Sequence, residues 1–199
     1  MAERYVITLG RECGAGATYI AQHLSKELGI PYYDKDIFRM VSDKSGVLEE
    51  FFHVNSERPG NNLLYKLVKD LKPADQKPSL GKDIVSPDNL FRFQSELIRE
   101  LADNESCIII GRCADYVLKD HDNCVHVFVC GDMDSKVQRM MHSYSLEESA
   151  AVERIKETDK QRKKYYSYYT GGDWEAASNY DLCLNTGNMS IEEAAEQIL

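Results

Sequence analysis

Hydrophobic positions along this chain alternate between two kinds of run. Short, continuous apolar stretches bounded by Gly or Asp read as buried strands: YVITL at Tyr5–Leu9, Tyr32–Tyr33, CIII at Cys107–Ile110, VHVFVC at Val125–Cys130, and Asp181–Leu184. Between them, apolar residues recur every three or four positions. Ile20, Ala21, Leu24 and Leu28 form one such stripe, closed by Gly29 and Pro31. The same period predicts helix over most of residues 36–72, over Asn89–Ala102, Ala114–Leu118 and Asp132–Met141. Ser145 with Glu148 reads as a capping box opening a long helix to about Tyr165, and Ser190 with Glu193 as a second one opening a terminal helix. Residues 73–87, with three prolines and a Gly, read as a loop or mobile insert. Five short strands separated by helices predict a single three-layer α/β domain with a parallel sheet, spanning residues 1–199.

Composition narrows the function classes. The formal charge of −9 and pI near 5.1 argue against nucleic-acid binding, which needs a basic face. A small anionic ligand is compatible, because a few placed cations suffice. No apolar run reaches the roughly 18 residues of a membrane helix. A strand begins almost at the N-terminus, leaving no room for a signal peptide, so a cytoplasmic protein with no membrane partner is expected. The six cysteines form no C-x-x-C pair and lie mostly in or beside expected strands, which favours free thiols. His121, Cys124 and His126 are close in sequence, but their spacing fits a loop entering a strand better than a zinc site.

The candidate chemistry lies between the first strand and the first helix, in Gly10-Arg11-Glu12-Cys13-Gly14-Ala15-Gly16-Ala17-Thr18. A glycine-rich turn at a helix N-terminus offers backbone amides to an anion. Cys13, Gly14, Ala15, Gly16, Ala17 and Thr18 would then hold phosphate, and the Thr18 hydroxyl falls where it could ligate Mg²⁺. The segment departs from G-x-x-x-x-G-K-[ST]: Ala17 stands at the lysine position and Arg11 at the first glycine. A dinucleotide fingerprint fails at Tyr19. The plainer alternative is a glycine turn that only joins strand to helix.

Arg11-Glu12-Cys13-Gly14-Ala15-Gly16-Ala17 resembles the Arg-Glu-aromatic-Gly-Ser-Gly-Gly loop of the cytidylate kinase-like family. The resemblance continues in IPYYDKDIF (30–38), IIIGRCADYVL (108–118), VHVFVC (125–130), ERIKETDKQRKKYYSYYTGGDW (153–174) and NYDLCLNT (179–186). It keeps the family's block order and is weakest between about residues 44 and 88. It implies a P-loop NTPase fold, with an acceptor-binding helical insert at about 35–88 and a helical lid at about 145–172. ATP with Mg²⁺ would be the cofactors and nucleotides the substrates. Asp34, Arg39 and Arg112 match the family's acceptor-side residues, Arg39 one position early. Cys113 stands where cytidylate kinases carry an Asp after the matching Arg, a departure from the family at a position tied to cytosine-specific contacts. In the lid, Asp159 and Arg162 match the final Asp-x-x-Arg. The upstream Arg is out of register, with Arg154 beside the matching Ile155.

Phosphoryl transfer asks mainly for positioning and positive charge. With Ala17 unable to supply that charge, Arg11 is the substitute within the loop, unless it merely pairs with Glu12 or another acid. Residues 153–164 carry six basic side chains against three acidic ones in an otherwise acidic chain. That is either an anion-facing lid or a solvated face of intrahelical ion pairs. Tyr165, Tyr166, Tyr168, Tyr169 and Trp174 could stack a base or dock the lid, but core or homodimer packing is the better reading. The expected catalytic set is Arg11, Arg154, Asp159 and Arg162. The expected function is phosphoryl transfer from ATP to a small acceptor, foremost a nucleoside monophosphate such as CMP. Two alternatives stand beside it: a nucleotide-binding sensor that has lost catalysis, and a kinase with a non-nucleotide acceptor.

Overall fold

The computed structural model describes residues 4–47, 49 and 86–199. Its strands are β1 (Val6–Arg11), β2 (Tyr32–Tyr33), β3 (Cys107–Ile110), β4 (Cys124–Cys130) and β5 (Leu182–Asn185). All pair in parallel, in the order β2-β3-β1-β4-β5. The helices among the described residues are α1 (Ala17–Leu28), α2 (Asp36–Ser45), α3 (Pro87–Asn104), α4 (Ala114–Val117), α5 (Met133–Tyr144), α6 (Glu148–Thr170) and α7 (Ile191–Glu196), with a 3₁₀ turn at Ala177–Asn179.

The sheet is covered on both faces, which explains why its strands lack alternation. Ile108 and Ile110 of β3 pack with Leu9, Val127, Val129 and the apolar stripe of α1, together with Ala194 and Ala195 of α7. Cys107 and Ile109, the alternate residues, pack with Ile37, Phe38, Leu97 and Ile98 of α2 and α3. Every side chain of CIII is buried, half against each helical layer. The three-layer, five-stranded parallel α/β fold read from the sequence is therefore the observed one.

Helix starts follow local chemistry. Ser86 accepts from the Asn89 amide and Pro87 takes the first turn of α3. Asp132 caps α5 through the Ser135 amide at 2.9 Å. Ser190 and Glu193 form the expected reciprocal box on α7. The box expected at Ser145 and Glu148 does not form. Ser145 has φ 51 and ends α5 in the left-handed region, whereas an N-cap needs extended backbone. α6 starts behind Glu147, which makes no side-chain cap, and runs past Tyr165 to Thr170. Of the helical stretch expected over 36–72, α2 accounts for 36–45; residue 48, residues 50–72 and nearly all of the 73–87 insert lie outside the described residues.

α6 buries little of itself: Ala151, Ile155, Tyr165 and Tyr166. Its first half packs on α5 through Ala151, Ile155, Val137 and Met140, with Cys13 beneath. Its second half is anchored by aromatics. Tyr169 stacks on Phe91 of α3 at 4.1 Å, and Trp174, just beyond the helix, meets Phe128 edge-on at 5.3 Å. Such pairs add about 0.5–1.5 kcal/mol each beyond area burial. The tyrosine cluster is thus core packing, except for exposed Tyr168. The cysteines are free thiols, and burial pushes those of Cys107 and Cys124 up to about 12. His126 is tied into the sheet by a 2.8 Å hydrogen bond between its Nδ1 and Thr8 Oγ1.

Candidate functional site

β1 ends at the C-terminal edge of the sheet, and residues 12–16 turn from it into α1. Gly16, the N-cap of α1, makes no side-chain capping bond. The amides of the first turn, and the partial positive charge of the helix end, are thus presented to whatever lies in front of the loop. Gly14 holds φ 80 with its back against α5, and a Cβ there would meet the Lys136 carbonyl oxygen at 2.9 Å. The turn can therefore pack this tightly only with glycine at that position.

A cavity of about 470 Å³ opens in front of the loop. Cys13, Gly14, Gly16, Ala17 and Thr18 form its floor. Ala15 is fully buried beneath, its carbonyl accepting from Thr186 Oγ1 at 2.8 Å. Asp34 and Arg112 close one end. Arg154 and Arg162 reach in from α6, with the Arg154 guanidinium over the Tyr144 ring at 4.4 Å.

Arg11 lines the cavity as well, and its direction is informative. Its guanidinium lies over Gly111, in the space a Cβ there would fill, and 3.8 Å from Asp34 Oδ1. It thus faces the corner shared by Asp34 and Arg112. Arg112 Nη2 is 3.8 Å from the same Asp34 oxygen, and its guanidinium stacks on Phe38 at 3.9 Å. Gly111, Arg112 and Cys113 all adopt left-handed backbone, with φ 68, 62 and 53. Two non-glycine residues in this region cost on the order of 1–3 kcal/mol each. The turn swings Arg112 back from the end of β3 onto Phe38 and Asp34.

Asp159 lies off the cavity wall but grips the loop. Its Oδ1 accepts the Cys13 amide at 2.6 Å and lies 3.8 Å from Arg162 Nη1, while Arg162 donates to the Arg11 carbonyl at 3.2 Å. Burial raises the Asp159 carboxyl above its ordinary range; the Cys13 amide, Arg162 and Lys136 pull against that. Of the other basic residues on α6, Lys163 pairs outward with Glu175 at 2.7 Å, and Lys156, Lys160 and Lys164 are solvated. The basic character of α6 therefore divides between two arginines that line the cavity, Arg154 and Arg162, and an outward face. Arg39 stands apart from the site, its side chain 67% exposed and 3.9 Å from Asp36.

Two residues that sequence reasoning missed complete the surroundings. Arg139 of α5 lines the cavity and donates to the Gly14 carbonyl at 3.2 Å and the Thr186 carbonyl at 2.5 Å. Lys136, one turn earlier, is buried and donates to Glu12 Oε2 at 2.8 Å, with Asp159 Oδ2 at 3.8 Å. A signal was present: Lys136 sits beside Val137 and one turn from Met140 on the apolar face of α5, where a lysine has no place unless it is paired.

An uncapped glycine loop between the central strand and α1 of a parallel β2-β3-β1-β4-β5 sheet, with arginines converging on it, defines a P-loop kinase-like architecture. Residues 6–188 match the cytidylate kinase-like family, and the chain belongs to that family. It is similar to the cytidylate kinase of Methanopyrus kandleri, 26% identical over 94% of this chain and 88% of the relative. Among solved structures it resembles an uncharacterized protein from Eubacterium ventriosum, with a TM-score of 0.69 and 26% identity over 98% of this chain and 96% of that one. It also shares the fold of shikimate kinase from Acinetobacter baumannii, with a TM-score of 0.52 and 15% identity over 98% of this chain and 90% of that one.

Proposed function

We propose that this protein transfers a phosphoryl group from Mg-ATP to a small anionic acceptor, foremost a nucleoside monophosphate such as CMP. The observation that carries the reading is the cavity itself, whose floor is the uncapped amide loop and whose wall carries Arg11, Arg112, Arg154 and Arg162. Membership of the cytidylate kinase-like family supports it.

In this reading the loop amides from Gly14 to Thr18 hold the donor phosphates. The Thr18 hydroxyl would hold the metal, which would supply positive charge to the donor phosphates. Asp34, flanked by Arg11 and Arg112, marks the acceptor end. The two guanidiniums would bind an acceptor phosphate bidentately, as planar forks suit. Arg154 and Arg162 act from α6 as the lid, placing positive charge where the transferred group loses its bond to the donor. Asp159 ties that lid to the loop through the Cys13 amide. The acceptor-binding insert at about 35–88 would select the acceptor.

A second reading is favoured by one observation, the Ala17 side chain at the lysine position. A loop without that charge could bind nucleotide without turning it over. A phosphorus NMR time course decides between them, with Mg-ATP and a panel of nucleoside monophosphates offered to wild type and to Arg112→Ala. Conversion of one monophosphate to its diphosphate, lost in a folded Arg112→Ala variant, is expected. ATP binding with no acceptor consumed would sink the nucleotide kinase reading in favour of a sensor or a different acceptor.

A further inference from the structure

Glu12 and Asp159 put two carboxylates against the phosphate loop. Glu12 lies on the cavity wall, and its Oε2 accepts the Gly131 amide at 3.1 Å. Asp159 engages one of the loop's own amides, at Cys13. A triphosphate arriving at this loop meets the field of both, Glu12 on the wall and Asp159 off it against the Cys13 amide, in a partly desolvated place where like charges repel strongly. The loop lacks the lysine that would ordinarily offset them, since position 17 is alanine.

Behind the loop, Lys136 faces both carboxylates: its Nζ is 2.8 Å from Glu12 Oε2 and 3.8 Å from Asp159 Oδ2. Its side chain is only 8% exposed, and it is not part of the cavity wall, so it does not reach for the ligand itself. Its own backbone forms the surface against which Gly14 packs, which fixes where the ammonium can sit relative to the loop. A lysine side chain this buried needs such partners to offset its desolvation.

We propose that Lys136 supplies from behind the loop the positive charge that Ala17 omits, acting as a positioning residue that neutralises Glu12 and Asp159 so that the loop amides present a net attractive face to a polyphosphate. The proposal rests on the reading that the loop binds Mg-ATP. It assigns Lys136 no contact with the nucleotide. Its effect is to hold two carboxylates in place and cancel their field, leaving the arginines of the wall to act on the ligand undiminished.

Charge repair tests this, read by calorimetric titration of Mg-ATP into the full-length protein. Lys136→Met should raise Kd by about tenfold or more. Lys136→Arg should keep most of the affinity, and adding Glu12→Gln to Lys136→Met should recover most of what was lost, because one of the two uncompensated charges is gone. Glu12→Gln alone should tighten binding, which keeps the proposal testable should Lys136→Met fail to fold. Unchanged affinity in Lys136→Met would overturn it. So would a folded double variant that stays as weak as Lys136→Met, since a packing role is not repaired by neutralising the carboxylate that Lys136 faces, or weaker binding in Glu12→Gln alone. Wild type that binds no Mg-ATP would remove the reading on which the proposal stands and the proposal with it. Normal wild-type binding with an indifferent Lys136→Met would sink this proposal alone.

Discussion

At the scale of single residues, the Asp34 end of the cavity depends on one missing side chain. Gly111 leaves the space that the Arg11 guanidinium occupies, and it holds φ 68 at the start of three left-handed residues. Gly111→Ala adds a methyl group into that guanidinium and forces an L-residue into left-handed backbone, a conformational cost of about 1 kcal/mol before any steric term. The obstacle is the end of a long side chain, so Arg11 can swing away while the strand behind it stays put. The expected result is modest destabilisation, about 1–2 kcal/mol by urea denaturation, with a much larger loss of phosphoryl transfer as Arg11 leaves Asp34 and Arg112. Loss of fold with no selective loss of transfer would show that Gly111 serves the backbone alone. The backbone at this turn was not legible in the sequence. GRC reads as strand end and helix start, but nothing in those letters says that Arg112 and Cys113 take positive φ. That follows from the tertiary contacts of Arg112 with Phe38 and Asp34, made across more than seventy residues. The place of the glycine loop was legible, because glycines between a buried strand and an amphipathic helix have local causes.

At the scale of elements, sequence pattern located the strands and the helical layers, because burial on both faces of a parallel sheet leaves an unbroken apolar run in the chain. It misplaced the start of α6, since Ser145 could as well end one helix as begin the next, and only the turn between α5 and α6 decides. How α6 is held was also out of reach of pattern. Its aromatic half docks through Tyr166, whose hydroxyl donates to buried Asp115 of α4 at 2.7 Å. Burial raises the Asp115 carboxyl above the ordinary carboxylate range, and the Tyr166 hydroxyl opposes this without overcoming it. The folded protein therefore takes up a proton here between the ordinary carboxylate pKa and the raised one. The contribution of this group to stability is fully present below the ordinary value and is lost as pH rises through the raised one. Asn does not titrate and can still accept from Tyr166. The stability of Asp115→Asn relative to wild type should thus improve as pH rises above the ordinary carboxylate pKa of about 4, measured by urea unfolding at each pH. A relative stability that stays flat, or falls with rising pH, would mean that Tyr166 and the nearby His126 hold the carboxylate more firmly than burial disfavours it.

At the scale of the whole molecule, an acidic chain has gathered cations on one cavity from segments far apart in sequence: Arg11 from the end of β1, Arg112 from the end of β3, Arg139 from α5, and Arg154 and Arg162 from α6. Each segment is packed for its own reasons, and all of them meet at the space in front of the loop. Folding therefore holds like charges together at some cost, and a polyphosphate bound there should return that cost as stability. A ligand in this cavity would touch the sheet edge, the loop and α6 at once, and the unfolded chain would offer it no site, so binding should appear as a shift in global unfolding. Mg-ATP at a hundred times its Kd would add about 2.7 kcal/mol, which for a domain of this size raises the thermal midpoint by roughly 5–10 °C. The shift should grow in the order adenosine, ADP, ATP, and should shrink as salt rises from about 50 to 500 mM, because screening weakens attraction between the partly exposed arginines and phosphate. Equal shifts for adenosine and ATP would place the binding energy in the base, and the gathered arginines would then need another explanation. A shift that ranks with phosphate count and falls with salt would tie the arginines gathered on this cavity to phosphate recognition.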